Sequence, residues 1–144
     1  MKNIIKIIIA IILCSCSSEQ SGDSTRTTIF NNSGHSIELQ LFRKGEFRSS
    51  EVIENNGNKE YFLAGDLGGP LGFVLPPFKT VVDSAQIIYG ELASIWHTKA
   101  DNQVVSKSLL LESSYKGGKV KDGLYEFTYT FTEDDFQEAL DFGD

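Results

Sequence analysis

The sequence predicts an all-β domain, an antiparallel β-sandwich or small barrel with a short C-terminal helix. Three observations carry this expectation. Apolar residues recur with period two: Ile37, Leu39 and Leu41 alternate with Glu38 and Gln40, and Phe127, Tyr129 and Phe131 alternate with Thr128, Thr130 and Thr132. Successive side chains of a strand point to opposite faces, so this alternation marks half-buried strands, and aromatic and β-branched residues favour them. Turn residues cluster between the runs, at Asn31-Asn32-Ser33-Gly34, Asn55-Asn56-Gly57-Asn58, Tyr89-Gly90-Glu91, Lys116-Gly117-Gly118-Lys119 and Lys121-Asp122-Gly123. One late segment, Thr132 to Leu140, departs from period two and reads as a helix.

In chain order, Lys2 and Lys6 precede an unbroken apolar run from Ile7 to Leu13, and Leu13-Cys14-Ser15-Cys16 follows. A basic start, a short apolar stretch and a small residue before a cut describe a signal peptide, here residues 1–15. The run is too short to span a bilayer, which takes roughly 20 apolar residues. Leu13-Cys14-Ser15-Cys16 resembles the lipobox of bacterial lipoproteins, which implies a mature chain beginning at a lipid-modified Cys16. A thiol can take a diacylglyceryl group as a thioether, and the new amino terminus can then be acylated. Two or three chains give stable anchoring where one binds only marginally. Residues 16–25 contain no apolar residue after Cys16 and read as a flexible tether. Ser17, where an Asp would signal inner-membrane retention, implies the outer membrane by the same resemblance.

A single domain is expected over residues 26–144, with strands near 27–31, 36–43, 50–54, 59–64, 73–75, 84–89, 92–98, 107–115 and 124–131. The helix follows because Thr132 can cap a first turn, Glu133-Asp134-Asp135 suit the positive end of its dipole, and Phe136 and Leu140 share a face. The same three acids lack the alternating ligands and central glycine of a calcium loop.

The signal takes two lysines with it, leaving 11 Lys+Arg against 20 Asp+Glu in 129 mature residues, a formal charge of −9. Such a surface repels nucleic acid and anionic headgroups, so membrane contact is expected through the acyl chains on Cys16, with the body standing off. Cys14 and Cys16 are the only cysteines, so no mature thiol remains for a disulfide, a metal or catalysis, and the domain is expected as a monomer held by packing. His35 lies in a turn and is expected to be exposed; His97 follows Trp96 at the end of an apolar strand. No Gly-x-Ser-x-Gly elbow, His-Glu-x-x-His pair, phosphate loop or Cys/His cluster is present, so no catalytic, cofactor or metal residues are assigned.

The segment from Ala64 to Phe78 holds four glycines and three prolines with Leu67, Leu71, Phe73 and Phe78 among them. These four side chains form either a plug at one end of the sandwich or, if exposed, a contact loop. Asn31 to His35, Gly68-Gly69-Pro70, Asp83 to Tyr89 and the closing Tyr129 to Phe136 together resemble a group of small, uncharacterised bacterial lipoproteins. That resemblance implies one β-rich domain and a lipid anchor, and carries no activity with it. The expected function is a lipid-anchored, non-catalytic module that binds a protein or glycan at the envelope. The alternative is a small envelope hydrolase using an Asp/Glu pair with His97.

Overall fold

The alternation becomes two sheets. The computed structural model describes residues 23–64, 82–98 and 105–142. In it, β1 (Ser24–Asn32), β4 (Asn58–Ala64), β7 (Lys116–Lys121) and β8 (Leu124–Thr132) form one sheet in the order β4-β1-β8-β7. The other sheet holds β2 (Ile37–Arg43), β3 (Glu46–Ile53), β5 (Ser84–Tyr89) and β6 (Ala93–Thr98) in the order β3-β2-β5-β6. They form a sandwich rather than a closed barrel. Ile29, Ile37, Leu39, Leu41, Ile87, Tyr129 and Phe131 fill the space between them at zero exposure. Fully burying each such side chain contributes about 1.5–3 kcal/mol. One pairing departs from the expected antiparallel pattern: β1 and β8 run parallel, from Ser24 opposite Leu124 to Asn32 opposite Thr132.

Several boundaries also differ. β1 starts at Ser24, inside the range expected to be tether, and Thr25 is buried. Its inward positions are Thr25, Thr27, Ile29 and Asn31, so only one apolar residue reported the alternation. β3 begins at Glu46 rather than near residue 50, because its first five residues are exposed on both faces and show no period. Residues 107–115, expected as a strand, form an irregular segment with one 3-10 turn at Glu112–Ser114. The strand lies just beyond, at β7, where Lys116 to Lys119 was expected to turn. Gly117 serves closeness rather than reversal: a Cβ on it would sit 2.0 Å from the Glu126 carbonyl oxygen. The strand expected at 73–75 lies outside the described residues.

The helix, α1 (Glu133–Phe142), forms as expected. Its third residue, Asp135, reaches back so that its Oδ2 accepts the Thr132 N–H at 2.6 Å and the Thr132 hydroxyl at 2.7 Å. This is the carboxylate half of a capping box. Glu133 and Asp134 are exposed while Asp135 is buried, so the three acids point apart.

Two fastenings carry the chain between the sheets. At the first, Asn31 is fully buried and its amide Nδ2 donates to the carbonyls of His35 (2.7 Å), Ile53 (2.8 Å) and Glu54 (3.2 Å). Its Oδ1 accepts the Ser33 hydroxyl at 2.7 Å. One side chain thus ties the β1–β2 link to the β3–β4 link, where Asn56 takes a positive φ of 59°. The second fastening surrounds His97.

Candidate functional site

His97 lies on the inner face of β6 at 3 % exposure. Its Nδ1 accepts the Leu109 N–H at 3.0 Å, so the neutral ring carries its proton on Nε2. Burial lowers its pKa to about 4; Asp135 works against this shift and Lys107 adds to it. The ring is therefore uncharged at neutral pH. Around it the 105–115 segment is laced by side chains rather than by strand pairing. The Ser108 hydroxyl donates to the Thr98 carbonyl, the Ser114 hydroxyl accepts the Ser108 N–H, and the Tyr115 hydroxyl donates to the Leu109 carbonyl at 2.8 Å. This explains the misread strand. Leu109 and Leu110 are buried by insertion, and polar side chains take over the backbone groups that a neighbouring strand would have satisfied.

Of the carboxylates on α1, Asp135 acts electrostatically on His97, and Asp135 and Glu138 both contact the 105–115 segment. Asp135 forms a 2.8 Å ion pair with Lys107, whose Nζ also donates to the Thr130 carbonyl at 2.6 Å. Glu138 accepts the N–H and the hydroxyl of Ser106 at 2.7 and 3.2 Å. Both carboxylates thus hold the segment to α1. The buried hydroxyls of Tyr89 and Tyr129 have no hydrogen-bond partner among the described residues, and burial raises both well above the usual phenol range. His97, Tyr89, Tyr129 and Asp135 are interior, whereas the Glu138–Ser106 contact is at the surface.

His35, expected to be exposed, is partly buried: its ring lies 4.0 Å from that of Phe136, and its carbonyl accepts from Asn31. The corner motif therefore docks the helix. Leu67, Leu71, Phe73 and Phe78 lie outside the described residues.

Two surface features carry more. Between the β5–β6 turn and α1 runs a groove of about 300 Å³, lined by Ile88, Glu91, Leu92, Ala93, Ala139 and Leu140 among others. Leu92 is 60 % and Leu140 47 % exposed. Gly90, with φ of 58°, makes the tight reversal that stands Leu92 beside the helix. The second feature is a set of rings on the outer face of the β3-β2-β5-β6 sheet. Phe42 lies 5.9 Å from Phe47 and 4.9 Å from Trp96 between ring centroids. Phe42 faces Ser84 on β5, and Trp96 faces Gln86; the Trp96 ring reaches diagonally across the short Ser84 side chain. Sequence reasoning passed over this set, although a signal existed. Glu38 and Gln40 mark the outward positions of β2, and Phe42 continues them.

Comparison of the chain with protein-family models, with curated proteins and with solved structures finds no match.

Proposed function

We propose that the chain is a lipid-anchored, non-catalytic binding module of the bacterial envelope, held in the outer membrane by acyl chains on Cys16, with the groove beside α1 as its binding place. The observation that carries this reading is the exposed apolar lining of that groove. It opens at the end of the sandwich away from Ser24, where the tether joins, so an anchored domain presents it outward. Its surroundings are acidic: Glu91 lines it at the turn, and α1 beside it carries the exposed acids Glu133, Asp134 and Asp141 and no base. Apolar lining within acidic surroundings complements a protein segment that carries aliphatic side chains among lysines or arginines. The alternative hydrolase has less support, because a general base must reach its substrate and His97 lies inside the sandwich with Nδ1 occupied.

Two measurements test the two halves of the proposal. Metabolic labelling with an alkyne fatty acid should mark wild type and Cys14→Ala but not Cys16→Ala; equal labelling of all three removes the anchor. Photo-crosslinking in cells from a benzophenone residue placed at position 140 should trap a discrete envelope protein, and Leu92→Ser should lose it. A trapped band that persists in Leu92→Ser argues against the groove.

A further inference from the structure

The aromatic set is not spread evenly over its sheet, and neither is the charge. β1 begins at Ser24 and runs to the Asn31 corner, where the chain reverses into β2. Phe42 and Arg43, at the far end of β2, therefore lie away from the corner, as Ser24 does. The β7–β8 turn is at this end too, since the Ser24 N–H donates to the Gly123 carbonyl. α1 sits at the other end, where His35 meets Phe136. The helix end is acidic. The entry end carries the β2–β3 tip, Arg43-Lys44-Gly45-Glu46-Phe47-Arg48, with one acid against three bases in the tip itself and Asp83 beside it, its Oδ2 accepting the Lys44 N–H at 2.7 Å. Glu46 is engaged by Arg48 at 2.6 Å, while Arg43 and Lys44 have no ion-pair partner among the described residues. Lys44 and Gly45 both take left-handed φ, 53° and 76°. A turn with two such residues favours Asn-Gly, so a lysine held there at some conformational cost is a mark of use at the tip.

From these placements we infer that the entry end docks on the surface of the bilayer that holds the anchor. Phe47, Trp96 and Phe42 enter the interfacial region, and Arg43 and Lys44 meet anionic headgroups. The inference rests on the proposed lipidation of Cys16. Seven residues, 17–23, join that cysteine to β1, a span of at most about 25 Å when fully extended, so the tip is confined near the membrane. Phe47 is 57 % and Trp96 47 % exposed, and aromatic rings with basic neighbours suit the interface. The mature charge of −9 argues for a body that stands off, and Asp83 and Asp122 also lie at the entry end. Docking of the tip turns α1, with five acids and no base, away from the membrane.

Trp96 is the only tryptophan of the chain, so its fluorescence reads this face directly. The test uses the full lipidated chain in vesicles of phosphatidylcholine with phosphatidylglycerol, some containing doxyl-labelled lipid. Trp96 emission should shift to the blue, doxyl lipid should quench it, and quenching by aqueous iodide should fall roughly threefold relative to Arg43→Glu/Lys44→Glu in the same vesicles. Phe47→Ser should lose part of the shift. All three side chains are exposed, so these variants fold, and flotation establishes that each is anchored. A wild-type chain that floats while Trp96 remains fully open to iodide overturns the docking and leaves the anchor standing. A wild-type chain that fails to float overturns the anchor and the docking with it. Protection of Trp96 that requires added envelope protein or polysaccharide, and not lipid, assigns the face elsewhere and also overturns the inference.

Discussion

The Asn31 corner and the His97 segment perform the same task with different chemistry. Each is a place where the chain leaves one sheet for the other, and in each a buried strand side chain satisfies backbone groups that no strand pairs. Asn31 supplies N–H groups to three carbonyls, and His97 supplies an acceptor to the Leu109 N–H. The carboxamide is neutral at every accessible pH. The imidazole is neutral only until a proton claims Nδ1, and that proton both places a charge in the interior and removes the acceptor. The difference teaches that the two fastenings have unequal tolerance of acid, although α1 rests on both.

The largest effect expected is at the corner itself. Asn31→Ala removes the side-chain donor to the Ile53 carbonyl and one of two donors to those of His35 and Glu54, which keep the Ser33 hydroxyl and the Gly57 N–H. It should lower stability by about 3 kcal/mol, as a lost buried partner costs about 1–3 kcal/mol. Urea denaturation at neutral pH measures this, and a loss below about 1 kcal/mol would show that the corner is not a fastening.

Acid sharpens the contrast. The unfolded chain protonates His97 near pH 6.5, whereas the folded chain resists until about 4. Because the folded value is the depressed one, the unfolded state binds more protons across that window. His97's contribution should therefore be intact above pH 6.5 and fall progressively towards pH 4, by about 3 kcal/mol in total. His97→Asn offers a carboxamide oxygen in place of Nδ1 and makes the second fastening chemically like the first. Its stability should change much less between pH 6.5 and 4 than that of wild type. An unchanged slope in the variant would assign the acid sensitivity to other groups.

The smallest effect concerns one bond of the second fastening. Tyr115→Phe removes the hydroxyl that donates to the Leu109 carbonyl and should cost about 1 kcal/mol at any pH from 4 to 8. A cost that varied with pH would couple this hydroxyl to the titration of His97.

How much of this the sequence disclosed follows from the same contrast. The Asn31 corner was legible because its residues are turn formers, as were β2, β5, β8 and the helix, whose apolar positions keep a clean period. The His97 fastening was not. A triplet of leucines reads as a strand whether it pairs with one or inserts between two sheets, and the serines and histidine that satisfy its backbone have no signature in one dimension. Gly117 misled for a similar reason, since close approach to Glu126 and a tight turn both select glycine. The groove beside α1 depends on the pairing of β5 with β6 and on where the helix lands, neither of which local pattern contains. Trp96 was visible as a residue, but its meeting with Phe42 required the strand order.

The parallel pairing of β1 with β8 sets the order in which the protein can be completed. About one hundred residues separate Ser24 from its partner Leu124, a contact of high sequence separation and therefore slow to form. β1 can meet β4 soon after synthesis begins, yet its other edge stays open until Thr132 has emerged. A nascent chain shorter than that exposes an unpaired central strand, the kind of edge that invites association with another chain. The domain thus cannot finish from its amino terminus forward, and truncation within β8 should produce an aggregating species rather than a smaller sandwich.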